Sequence, residues 1–141
     1  MIATEPPVKL TRNEGLKAGN PLLIGNIRCT LCDPSLDRFT EEDYEFLKFH
    51  GVYQQDYRDK RKVAKHYMIL VRTKFPGGVL SAPQYLACDR LSDQYGEGTM
   101  RITTRQDFQF HGILKSNLRQ SIQGLNEALI TTIAACEDVE R

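Results

Sequence analysis

Residues 99–115 alternate in side-chain character with a period of two, which commits this part of the chain to half-buried strands rather than helix. In TMRITTRQDFQFHGILK, Arg101, Thr103 and Arg105 share one strand face and Met100 and Ile102 the other. A few residues later Phe108 and Phe110 alternate with Gln109 and His111. Two neighbouring strands of this kind present Arg, Thr, Gln and His together on one side of a sheet whose other side joins the core. Guanidinium forks grip carboxylates in pairs, and amide or imidazole groups meet the remaining acceptors, so the surface suits a planar polyanion. A nucleotide phosphate or an acidic peptide would fit it too, and strand arginines commonly make weak surface ion pairs instead.

The rest of the chain supplies the partners for such strands. Residues 1–24 carry Pro6, Pro7, Gly15, Gly19 and Pro21 among polar residues and read as an extended arm. Thr40 followed by Glu41, Glu42 and Asp43 caps a short helix or turn leading into Tyr44, Phe46 and Leu47. YMILVRTKF at residues 67–75 reads as a strand that places Arg72 and Lys74 on one face and ends at Pro76-Gly77-Gly78. Ser81 and Pro83 open a helix through Leu86, Ala87, Leu91 and Tyr95, which Gly96 and Gly98 terminate. After the two strands of the opening pattern, Leu118, Ile122, Leu125, Leu129 and Ile133 recur as the buried stripe of a second helix. The order β-α-β-β-α predicts an α+β fold, a ferredoxin-like split βαβ half-domain with helices on one face of an antiparallel sheet. This divides the chain into an arm and short helix over residues 1–46 and the half-domain over 47–141, with a last strand expected beyond residue 141.

At 141 residues, 40% of them hydrophobic and 26% charged, the chain has the composition of one soluble domain with a real core. Its formal net charge of +1 provides no general attraction to nucleic acid or acidic membranes, so any anion site must come from local clustering. No apolar run approaches the roughly 20 residues that span a bilayer, and MIATEPPVKL lacks the regions of a secretory signal, so the cytoplasm is the expected location. Cys29, Cys32, Cys88 and Cys136 are accordingly read as reduced thiols.

Three ordered blocks, LKFHGVYQQD at residues 47–56, Arg72 ahead of Pro76-Gly77-Gly78-Val79, and MRITTRQDFQFHGILK, closely resemble the N-terminal half of the sirohaem-dependent sulfite reductase haemoproteins. The resemblance covers residues 47–141. It implies six-electron reduction of sulfite to sulfide at a sirohaem bridged by a cysteine thiolate to a 4Fe-4S cluster, with the cofactors carrying the redox chemistry. Sirohaem bears eight carboxylates, and burying them requires cationic partners. By this resemblance Arg101 and Arg105 hold sirohaem carboxylates, with Thr103, Thr104, Gln109 and His111 as further contacts. Arg72 and Arg141 are the arginines implied to bind the substrate anion and stabilise charge as S–O bonds break.

The chain also departs from that pattern. Glu140 stands where the family usually has asparagine, beside Arg141, and Lys74 stands where arginine is common, keeping the charge but losing the fork. The four cysteines have other spacings than the family's cluster ligands, so none is assigned to iron and no metal ligand is expected in this chain. The ligands and the paired substrate lysines belong to a missing C-terminal half, so the resemblance implies a segment of a longer or split enzyme, inactive alone. Its electron donor would be ferredoxin or an NADPH-dependent flavoprotein, with no membrane or nucleic-acid partner. A ferredoxin-dependent nitrite reductase segment is the nearest alternative, although Phe110-His111-Gly112 favours sulfite. A stand-alone anion or nucleic-acid binding module is the alternative from another class, and it would need aromatics on the open sheet face. Cys29-x-x-Cys32 is a weak zinc or redox motif without a second pair. His50 and His111 read as polar packing or cofactor hydrogen bonds, and residues 58–62, RDKRK, as a solvated basic linker.

Overall fold

The computed structural model describes residues 10–57 and 65–135. Within them five α-helices and four strands follow one another: α1 (Arg12–Gly19), α2 (Ile27–Cys32), α3 (Glu41–Phe49), β1 (Val52–Asp56), β2 (Tyr67–Arg72), α4 (Ala82–Tyr95), β3 (Met100–Ile102), β4 (Phe108–Ile113) and α5 (Lys115–Glu127). The strands form one sheet in the order β1-β2-β4-β3, every neighbouring pair antiparallel. The predicted α+β half-domain is the observed fold, and its helices lie on one face of the sheet.

Local chemistry sets the element boundaries. Ser81 and Gln84 form a reciprocal capping box at the start of α4, Pro83 sits in its first turn, and Gly96 closes it. Thr40 caps α3 through the Asp43 amide. The core gathers Val52, Ile69, Val71, Phe108, Phe110 and Ile113 from the sheet with Leu47, Cys88, Leu91, Leu118 and Leu125 from the helices. Helices α4 and α5 touch closely because residue 124 is glycine: a Cβ there would lie 2.6 Å from Leu91 Cδ2.

Four expectations need correction. Residues 12–19, expected in an extended arm, form α1, because Thr11 and Glu14 make a capping box that outweighs the flanking glycines. Arg12 then pairs with Glu41 at 3.3 Å and Asn13 donates to Glu45 at 3.2 Å, which moors α1 to α3. The expected order β-α-β-β-α omits strand β1, since Val52-Tyr53-Gln54-Gln55-Asp56 carries little apolar character. Strand β3 stops after three residues, so Ile102 lies on a sheet edge, 76% exposed, instead of in the core. The apolar stripe of α5 ends at Leu125. The helix closes at Glu127 and the chain reverses through Leu129 at φ 58, which leaves Leu129 87% and Ile133 63% exposed while Ile130 takes the buried position. That reversal carries Thr131 back to pair with Lys74.

One buried cation joins the α2–α3 connection to this core. Lys115, at the first position of α5, is buried and its Nζ donates to the carbonyls of Asp33 (2.5 Å) and Leu36 (2.7 Å). Lys115→Met keeps the stem's volume but orphans both acceptors, and is expected to lower unfolding free energy by about 2–3 kcal/mol in urea denaturation.

Candidate functional site

The open face of the sheet carries a cross-strand row. Arg72 at the end of β2 pairs with Gln109 of β4, and Gln109 pairs on its other side with Arg101 of β3. With the Gln109 carbonyl turned toward Arg72, it accepts from Nε at 2.9 Å and Nη2 at 3.2 Å, the two donors of one guanidinium edge. Tyr53 of β1 lies on the opposite flank, its ring centroid 4.8 Å from Arg72 Cζ. Period-two alternation directs these side chains outward because Val71, Phe108 and Phe110 are buried against the helices.

His111 follows Gln109 on the same face of β4. Its Nε2 is buried without a hydrogen-bond partner. Burial first, then the positive charge of Arg101, holds the imidazole below its ordinary pKa of 6.5; Glu97 pulls the other way and Arg72 adds to the lowering. Below pH 6.5 the unfolded chain therefore binds more protons at this position than the folded protein. The stability that neutral His111 contributes is complete above that value and is lost as pH falls toward the folded pKa. Thermal midpoints measured from pH 7 down to pH 5 should fall less steeply for His111→Gln than for the unaltered chain.

A turn at residues 103–107 forms the second half of the site. Thr103 Oγ1 accepts from the amides of Arg105 and Asp107, both at 3.2 Å, and Thr103 N donates to Asp107 O at 2.8 Å. This leaves the Thr103 hydroxyl proton as its outward donor. Asp107 is buried, and its Oδ1 accepts from the Phe75 amide at 2.6 Å, fastening the turn to the chain leaving β2. Gln106, at φ 66, lies against Gly78, where a Cβ would come within 2.3 Å of its amide oxygen. Arg72, Thr103, Thr104, Arg105, Asp107 and Ala135 line one small hollow.

The fold thus brings seven sequence-predicted residues into two adjoining groups: Arg72, Arg101, Gln109 and His111 on the strands, and Thr103, Thr104 and Arg105 at the turn beside Arg72. Thr103 and Arg105 reach it from a turn rather than from the continuous strand that alternation implied. Arg141, Cys136 and the basic run at 58–62 lie outside the described residues. Lys74 pairs through its backbone with Thr131. Sequence reasoning missed Tyr53 and Asp107; the quoted LKFHGVYQQD block contained the first, and a threonine four residues before an aspartate was the turn signal for the second.

The remaining candidates have other environments. Phe108 and Phe110 are buried on the helix face and offer no platform for bases. His50 Nε2 lies 3.0 Å from Leu23 O, a packing hydrogen bond. Cys29 and Cys32 are exposed free thiols, and Arg119 Nη2 lies 3.2 Å from Cys32 Sγ. Cys88 is buried, which pushes its pKa up to about 11 and keeps it protonated. Among the described residues no group of His, Cys, Asp and Glu could hold a metal ion, and no helix is long and apolar enough to cross a membrane.

Comparison with known proteins gives this chain relatives. Residues 61–128 match the family of the nitrite/sulfite reductase ferredoxin-like half domain. The sulfite reductase (NADPH) hemoprotein beta-component of Bordetella petrii is 45% identical over 144 residues, covering 98% of this chain and 24% of that protein. The like-named protein of Staphylococcus epidermidis is 43% identical, covering 99% and 26%, and that of Oceanobacillus iheyensis 45% identical, covering 91% and 23%. The chain spans about a quarter of the length of the curated relatives it matches. Among solved structures, the Mycobacterium tuberculosis NirA protein superposes with a TM-score of 0.72 at 24% identity, covering 92% of this chain and 26% of that one, a likeness of fold.

Proposed function

Since the chain belongs to the nitrite and sulfite reductase family, matching the N-terminal part of its sulfite reductase haemoproteins, we propose that it forms one wall of a cavity that binds sirohaem and sulfite. The observation that carries this reading is the row Arg72–Gln109–Arg101 on the open sheet face, with Arg105 beside it across the hollow. An octacarboxylate needs several donors gathered on one surface, and here three guanidiniums, an amide and a hydroxyl proton occupy neighbouring strands and one turn.

When bound, sirohaem coupled to a 4Fe-4S cluster supplies the electrons for reducing sulfite to sulfide. Arg101 and Arg105 would hold its carboxylates, Thr103 would donate its one outward proton, and Thr104, Gln109 and His111 would complete the contacts. Arg72 and Arg141 would bind an oxygen of the substrate anion and steady its charge. Cluster ligands are not assigned to this chain, so turnover is proposed only for the chain working with the remaining sequence of a sulfite reductase. The relatives are named as NADPH enzymes, which favours an NADPH-fed electron donor over ferredoxin.

Titration of the 141-residue chain with uroporphyrin, an octacarboxylate tetrapyrrole, tests the cradle directly. A saturable shift of the Soret band is expected, weakening with added salt. If uroporphyrin octamethyl ester, which lacks the charges, binds as tightly as the acid, the cationic cradle is refuted.

A further inference from the structure

Arg72 occupies the middle of a three-strand sandwich of side chains. We infer that Tyr53 and Gln109 are positioning residues that clamp its guanidinium in one orientation, an inference that rests on Arg72 serving the anion site proposed above. Arginine carries several rotatable bonds, and a side chain free to roam loses entropy each time it meets a ligand. Here both flanks of the group are occupied from neighbouring strands. Tyr53 on β1 places its ring 4.8 Å from Cζ, within the range of cation–π attraction. Gln109 on β4 takes Nε and Nη2 together, at 2.9 and 3.2 Å, on one carbonyl oxygen.

The clamp fixes which part of the guanidinium faces a ligand. Nε and Nη2 make up the side-on edge that usually grips a carboxylate in parallel bonds, and Gln109 already engages it. The edge directed away from Gln109 is the end-on pair of Nη1 and Nη2. A broad carboxylate approaching the side-on edge therefore finds Gln109 already in place there. Gln109 acts through Arg72 by its carbonyl, which refines its assignment as a direct cofactor contact. The strand register enforces the arrangement: Tyr53 pairs with Leu70, two residues before Arg72 and on the same face, while Gln109 pairs with Arg72 itself.

Two readouts on the full chain test this. Proton exchange at Arg72 Nε, followed by nitrogen-detected NMR and assigned by its loss in Arg72→Lys, should be about tenfold slower than at exposed arginines. Gln109→Leu should abolish that protection, whereas Gln109→Glu, which keeps an acceptor, should retain it. Tyr53→Leu should weaken uroporphyrin binding about fivefold, and Tyr53→Phe, which keeps the ring face, should restore it. Absence of protection at Arg72 Nε in the unaltered chain overturns the clamp whatever ligand binds. Equal affinities for Tyr53→Leu, Gln109→Leu and the unaltered chain overturn it as well. Failure of the unaltered chain to bind uroporphyrin counts against the proposed function, while the exchange measurement still decides the clamp.

Discussion

Replacing Gly51 with alanine is expected to remove about 3 kcal/mol or more of folding free energy, measured as a lower urea midpoint at unchanged slope. Gly51 links α3 to β1 at φ 70, a left-handed conformation that strains any residue bearing a Cβ. The added methyl would lie 2.3 Å from Thr132 O and 2.9 Å from Arg72 O, both backbone atoms that cannot rotate aside. The Gly51 carbonyl also accepts from the Arg72 amide at 2.8 Å, so relief of the clash must move the end of β2 or the returning segment. A variant that folds would accordingly show weaker anion binding, with the strongest amide shifts near Arg72 and Thr132. An unchanged midpoint would mean that the returning segment does not press on this turn.

Neutralising Arg101 and Arg105 together, as Arg101→Gln with Arg105→Gln, should weaken uroporphyrin binding about a hundredfold. Both side chains are exposed, so each is credited with only about 1.4 kcal/mol, a tenfold effect, at the lower end for charge-assisted hydrogen bonds. The two lie on different elements, a strand and a turn, and should add nearly independently. Dependence on ionic strength should flatten in the double variant, because fewer cations face the ligand. Loss of less than threefold would place the ligand elsewhere on the molecule.

How much of this was readable beforehand follows from where the governing interactions lie along the chain. Helix α4 was legible at both ends because its signals are local: a serine cap, an early proline and a closing glycine. The outward placement of Arg72, Arg101, Gln109 and His111 was legible for the same reason, since alternation is a short-range property. The turn at 103–107 was not, because it depends on one hydroxyl accepting two amides and on a buried aspartate reaching Phe75, thirty-two positions away in sequence. Helix α1 was masked by its glycines although Thr11 and Glu14 carried its cap. Leu129 and Ile133 fitted a helical period that the left-handed reversal interrupts, and a period alone does not reveal where hydrogen bonding stops. Tyr53 required knowledge of strand register, which a single strand's sequence does not contain.

Arg101 has a second consequence through its place in the sheet. Strand β3 is one of the two edge strands of the described sheet, and it carries the exposed Ile102. Such borders invite zipper-like stacking between copies, and brevity together with a fixed positive charge discourages it. The guanidinium proposed to greet a tetrapyrrole is thus also expected to guard against self-association. Its neutral replacement is expected to form soluble aggregates at high concentration, visible as an early shoulder in light scattering.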